Sequence, residues 1–195
     1  MNMKDNCKEL LIDATIDIIN ENNGDVSKVT IREISKRTNV AVGLINYHFK
    51  NKDNLITCCV QKIIRNVVTS FKPILNIDNS LDSLTKTKIR LASTAKQVFE
   101  FLFSNPSICK ISILNDYNEY KSDSNSNMTI KGFMTLMGDL QIEELEKSRI
   151  AFYLTNNIQV AFIRSNSESQ YLGYDFSSKE SRDKYIDDLV NRFFR

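Results

Sequence analysis

The apolar positions recur at intervals of three and four along most of the chain, and no alternating stretch is long enough for a strand. Residues 4–22 place Leu11, Ala14, Ile18 and Ile19 on one side of a helix, with Leu10 and Thr15 flanking and Asp13, Asp17 and Glu21 outward. Asn22-Asn23-Gly24 ends it, glycine suiting the left-handed turn after a helix. Thr30 with Glu33 forms a Thr-x-x-Glu capping box, worth about 1 kcal/mol, for a second helix that turns Ile31 and Ile34 inward. Thr38-Asn39-Val40 makes a tight turn, since asparagine tolerates left-handed backbone. In a third helix over 41–48, Leu44 or Ile45 packs back together with Phe49, and Val42, Gly43, Asn46, Tyr47 and His48 include the outward positions. Asn51 caps a fourth helix reaching about Phe71, with Lys52 and Asp53 in its first turn. Leu55, Ile56, Val60, Ile63, Ile64, Val67 and Val68 give it a wide apolar surface.

Pro73 and the polar run 76–80 mark a boundary. A helix over 81–104 then carries Leu84, the stem of Lys88, Leu91, Ala95, Val98, Phe99 and Leu102 at helical spacing, and Asn105-Pro106 stops it. A shorter helix from Ile108 to about Asp116 leads into residues 117–127, which read by composition as a mobile loop. Ile130, Phe133, Met134 and Met137 define another amphipathic helix, and residues 143–164 a long one, apolar over most of its second half. Ser177 with Glu180 reads as a second capping box, opening a last helix with Ile186, Leu189, Val190 and Phe193 at i, i+3, i+4 and i+7. The expected fold is all-α, about nine helices.

Composition agrees: 5 Gly and 2 Pro leave too few turn residues for a β-rich fold. The net charge of +2 is unremarkable as a sum but uneven in distribution. Lys28, Arg32, Lys36, Arg37, Lys50 and Lys52 face a single acid, Glu33, between positions 28 and 52, so that stretch carries +5 and the rest −3. Such clustering suits a phosphate-facing surface, although a solvated helix face can be equally basic. Cys7, Cys58, Cys59 and Cys109 lack metal-site spacing and have one histidine to assist them, so no metal is expected. Adjacent Cys58 and Cys59 disfavour a disulfide, and the acids near the N-terminus interrupt any signal-like apolar run, which points to a reducing cytoplasmic setting. Residues 150–163 are too short and too polar to span a membrane, so no membrane partner is expected. There is no repeat and no glycine-rich phosphate loop, and the only histidine is His48, so neither a cofactor nor an enzyme is expected.

Ile34-Ser-Lys-Arg-Thr-Asn-Val40 followed by Gly43-Leu-Ile-Asn-Tyr-His-Phe-Lys-Asn-Lys-Asp-Asn-Leu55 resembles the tetracycline-repressor-like (TetR) family of bacterial transcription regulators. The resemblance covers roughly residues 4–66 and rests on Tyr47-His48-Phe49, Lys52 three residues later and Leu55 three after that. Thr38-Asn39 stands where the family usually has Ala-Gly, and Asn46 where an aromatic often precedes the tyrosine. The resemblance implies a DNA-binding three-helix domain over 4–66, with its helix-turn-helix at 30–49. It also implies a helical domain over 67–195 that binds a small inducer and pairs through its last two helices into a homodimer.

On that reading Lys52 meets a phosphate at a helix start, and Tyr47 and His48 donate to phosphates. Arg32 is the candidate for a bidentate contact to guanine and Asn46 for one to adenine, each against a phosphate or solvent role. Val42 and Leu44 are candidates for thymine methyls, Gly43 permits close approach, and Thr30 is a cap first and a phosphate contact second. Phe99, Phe103, Tyr117, Tyr120, Phe133, Met134, Met137, Phe152 and Tyr153 are candidates for a ligand cavity, although such stripes are usually core. Phe162, Ile186, Leu189, Val190 and Phe193 are candidates for the dimer interface, against the alternative that they cover the protomer's own core. The expected partners are double-stranded operator DNA, a second copy of the chain and a small-molecule ligand. The leading expectation is a ligand-released repressor of a palindromic operator. The alternative is a non-inducible member working through a protein partner or organising DNA.

Overall fold

The computed structural model describes residues 3–22, 24–68, 77–118 and 121–194, and every regular element among them is helical. The chain divides into two compact units, residues 1–68 with 105–120, and 69–104 with 121–195.

The first unit begins with α1 (Met3–Glu21), which buries Leu11, Ile12, Ala14, Ile18 and Ile19. Thr15, expected at the flank, is fully buried and satisfies its hydroxyl on the Leu11 carbonyl at 2.7 Å, whereas Leu10 is exposed. Gly24 takes the expected left-handed conformation, φ +81°, and its N–H closes on the Ile19 carbonyl at 2.8 Å. A 3-10 turn, Val26–Lys28, then leads to α2 (Ile31–Thr38). Thr30 caps α2 by accepting the Glu33 N–H at 3.1 Å, and Asn39 ends it in the left-handed region at φ 55°, ψ 30°.

Helix α3 (Val42–Phe49) is joined to α4 (Lys52–Val68) by two residues. The joint is tight: Lys50 sits at φ 65°, ψ −49°, and the Asn51 N–H reaches the Phe49 carbonyl at 2.8 Å, a γ-turn with positive φ that is rare and strained for a residue with a Cβ. Asn51 caps α4 by accepting the Asn54 N–H at 2.8 Å. Leu55, Ile56, Cys59 and Val60 are buried, while the side chains of Ile64, Val67 and Val68 and the extension to Phe71 lie outside the described residues, as do Pro73 and Asn76. α1 packs on both α2 and α4. Lys62 of α4 bridges Asp13 and Glu9 of α1 at 2.6 and 2.8 Å, and Arg37 of α2 forks onto Glu21 with both contacts at 2.7 Å.

The unit is completed by a helix distant in sequence. α6 (Pro106–Asn118) packs on α4, burying Ile108, Cys109 and Ile113, and Asn115 donates to Asn54 at 3.0 Å and Thr57 at 3.2 Å. Its first residue is proline, which lacks the N–H that a helix start leaves unpaired, so Asn105-Pro106 both stops one helix and begins the next.

The second unit contains α5 (Ser83–Ser104), α7 (Asn125–Leu136), α8 (Glu144–Ile163), α9 (Ser165–Leu172) and α10 (Lys179–Phe193). Thr87, Leu91, Ala95, Phe99 and Leu102 form the buried stripe of α5, but Leu84, expected to share it, is exposed. Residues 117–127 are not one loop: Ser124 caps α7 and is buried with Asn125, accepting the Asn127 N–H at 3.2 Å. α9 has no counterpart in the apolar pattern. The cap of α10 is Ser178, one residue later than expected, since Ser177 instead closes a turn onto Asp175.

Phe99, Phe103, Phe162, Phe176, Tyr174 and Tyr185 form one aromatic cluster joining α5, α8 and α10, with edge-to-face contacts at centroid distances of 5.0 Å for Phe99–Phe103 and 5.3 Å for Phe103–Phe162 and a stacked pair in Tyr174–Phe176. The Arg182 guanidinium lies 4.6 Å from the Phe103 ring and donates to the Phe176 carbonyl and to Glu100, each at 2.8 Å. Phe162, Ile186 and Val190, expected at a dimer interface, are 1%, 0% and 1% exposed in this single chain; they belong to its own core, leaving Leu189 and Phe193 partly accessible.

Candidate nucleic-acid interface

Helix α3 has a sharp inner and outer face. Ile45 and Phe49, four residues apart, are buried, which settles the choice between Leu44 and Ile45 as the anchor. The opposite side exposes Val42, Gly43, Leu44, Asn46 and Tyr47, with Leu44 43% and Tyr47 69% accessible. An eight-residue helix that turns two aliphatic side chains and a tyrosine to solvent gains nothing from them in folding; such a surface suits a partner with apolar edges. Gly43 lies on this face, and a Cβ built on it would meet no atom within 4 Å, so its small size serves no packing need inside the unit. His48 is half-buried, with its ring 5.4 Å from Tyr47 and 6.1 Å from Phe49.

The cations of this region divide into two kinds. Arg32 and Lys36 on α2 and Lys50 at the end of α3 are exposed, with no ion pair among the described residues, and Lys28 only approaches Asp25 at 3.9 Å. Arg37 is instead engaged with Glu21; their hydrogen bonds lower the Glu21 pKa and raise that of Arg37. Lys52 is partly buried, and its ammonium points back into the unit, 3.1 Å from the Val26 carbonyl and 3.3 Å from that of Val29. The +5 stretch therefore offers fewer outward charges than its sum suggests. Thr30 is exposed while capping α2.

The expected ligand residues do not converge. Phe99, Phe133 and Met137 are buried in the packed core of the second unit, and Phe103 is held under Arg182. Phe152 is 51% exposed on the outer side of α8, as is Tyr153, and Tyr117 is exposed on α6 of the other unit. Tyr120 lies outside the described residues. A groove of about 340 Å³ opens between α5 and α10 and is lined by Lys88, Ile89, Ala92, Lys96, Asp187 and Val190 among others, none of them a ligand candidate from the sequence. Lys88, Ala92 and Lys96 recur at four-residue spacing, a visible pattern that carries no ligand signal by itself.

Among the described residues no group of three or more His, Cys, Asp or Glu side chains is placed to hold a metal ion, and no helix is long and apolar enough to cross a membrane.

Residues 11–57 match the family model of bacterial regulatory proteins, tetR family. The fold is similar to that of a TetR-like transcriptional regulator from Rhodococcus sp. RHA1, with 13% identity, 95% of this chain and 94% of that chain covered, and a TM-score of 0.53. A second transcriptional regulator from the same Rhodococcus aligns at 13% identity over 95% of each chain, with a TM-score of 0.46. No curated protein matches the chain.

Proposed function

Because this chain belongs, by its residues 11–57, to the tetR family of bacterial regulatory proteins and is a DNA-binding transcription regulator, we propose that it works as a homodimeric repressor released from a palindromic operator by a small molecule. The observation that carries the DNA-reading part is the outer face of α3, where Val42, Leu44 and Tyr47 stand exposed beside Arg32, Lys36 and Lys50, cations that make no ion pair among the described residues. In this reading α3 lies in the major groove. Val42 and Leu44 meet thymine methyls, Gly43 admits the base edges, and Asn46 or Arg32 provides the hydrogen-bonded base contact. Tyr47, His48 and the Thr30 hydroxyl address phosphates.

Pairing is supported by the outer face of α8, where Leu145, Phe152, Tyr153 and Val160 are exposed; a homodimer carries two reading helices, as a palindromic operator with half-sites about 34 Å apart requires. Leu189 and Phe193 add to that surface in this proposal. For the ligand, the groove between α5 and α10 is a better candidate than the aromatic stripe, since the stripe's members are either packed or on outer surfaces.

Fluorescence anisotropy on the DNA upstream of the protein's own gene and on a random duplex tests the reading. Binding that weakens steeply with salt is expected, and Arg32→Ala should cost about 1–3 kcal/mol on the specific site if it reads a base. Salt-insensitive or absent binding to every duplex would overturn it. Sedimentation tests the pairing: a dimer at micromolar concentration that Phe152→Glu converts to a monomer is expected.

A further inference from the structure

Lys52 occupies the position that, in a helix start, invites a phosphate, yet its side chain turns the other way. Its ammonium sits 3.1 Å from the Val26 carbonyl and 3.3 Å from the Val29 carbonyl. Both belong to the segment that hands α1 to α2: Val26 opens the 3-10 turn, and Val29 directly precedes Thr30, the cap of α2. Val26 and Val29 are themselves buried, so the segment is gripped by two apolar side chains inside and one cation on its carbonyls. The Val26 carbonyl already accepts the Val29 N–H at 3.2 Å, and the ammonium adds charge-assisted hydrogen bonds to it and to the Val29 carbonyl, tying both ends of the turn to one side chain.

The topology gives this contact a particular consequence. Lys52 begins α4, with two residues between it and the end of α3, and Val29 directly precedes Thr30, the cap of α2. The contact therefore closes residues 26–52 into a ring that contains both helices of the reading head. Inside the ring the two turns are held by left-handed residues, Asn39 at φ 55° and Lys50 at φ 65°, so each of its corners has a defined geometry.

Resting on the DNA-binding reading, we propose that Lys52 is a positioning residue that sets the crossing of α2 and α3 through the Val26 and Val29 carbonyls, and so fixes which base Arg32 and Asn46 reach, rather than a phosphate contact.

The test compares wild type with Lys52→Met, which keeps the stem and removes the ammonium, on a random-sequence duplex of about 30 base pairs and on a site selected from a random pool by the wild-type protein. The slope of log K against log salt on the random duplex should be unchanged, whereas preference for the selected site should fall about tenfold. Amide exchange of residues 25–30 should quicken in the DNA-free protein. A slope smaller by about 0.9, the signature of one lost phosphate contact, would overturn the proposal, as would unchanged exchange. If Lys52→Met fails to fold, the ammonium resonance of wild-type Lys52 decides: a signal present without DNA and unmoved by the random duplex supports the latch, and one that is absent or that shifts on binding overturns it. Failure of the wild-type protein to bind any DNA would remove the DNA-binding reading alone, since exchange and the ammonium signal still report on the latch.

Discussion

Lys50 carries the clearest conflict between local strain and position. A side chain at φ 65°, ψ −49° costs about 1–3 kcal/mol, yet the residue is an exposed cation at the end of α3. Lys50→Gly should raise unfolding stability by about 1 kcal/mol in chemical denaturation, because glycine accepts that backbone, and should lower DNA affinity by removing a charge. The cysteines separate in the same residue-by-residue way. Burial pushes the Cys109 thiol up to about 12 and the Cys59 thiol higher still, where it also meets the Ile12 carbonyl at 3.7 Å; Cys7 and Cys58 are only half-buried. Titration with a thiol reagent at pH 8 should label Cys7 and Cys58 in the native protein and reach Cys59 and Cys109 only after unfolding.

At the scale of elements, the turns and caps were the most legible features because their chemistry is local: Thr30, Asn39, Gly24 and Asn51 all do what their side chains or backbone freedom suggest. Side-chain faces were legible only up to a symmetry. The spacing of Ile186, Leu189, Val190 and Phe193 announces a buried stripe on α10, but periodicity does not say whether the burying surface is the same chain or another, and the structure assigns Ile186 and Val190 to the same chain. The start of α7 was hidden because Ser124 and Asn125 are polar yet buried, and α9 because Ser165–Leu172 lacks a repeating apolar face. The turn of Lys52 toward carbonyls more than twenty residues earlier in the chain had no local signal at all.

Between elements, the fork from Arg37 to Glu21 ties α2 to α1. Because the hydrogen bonds from Arg37 hold the Glu21 carboxyl below the usual carboxylate range, the contribution of the pair is present above the unfolded pKa and is lost as pH falls through the lower folded one. Glu21→Gln should flatten the acid limb of the stability–pH profile below about pH 4.5 and leave the neutral region with a smaller change, since the pair is solvent-exposed.

For the whole molecule, the discontinuous first unit matters most. Residues 105–120 supply α6, whose Ile113 is buried and whose Asn115 engages Asn54 and Thr57 on α4, the helix that follows α3. Ile113→Ala should cost about 2–4 kcal/mol and raise amide exchange in α4, although the two positions are far apart in sequence. A hydrophobic pattern marks α6 as a helix but cannot say which earlier segment it covers; that assignment exists only in three dimensions.

The same discontinuity imposes a timetable on synthesis. The ribosome releases residues 1–68 first, then the whole of 69–104, before α6 emerges to cover α4. At about 5–20 residues per second the apolar surface of α4 waits roughly 3–10 s for its partner. The nascent chain in that interval is a natural client for a chaperone, and a translational pause placed before residue 105 should lower the yield of active protein far more than one placed after residue 120.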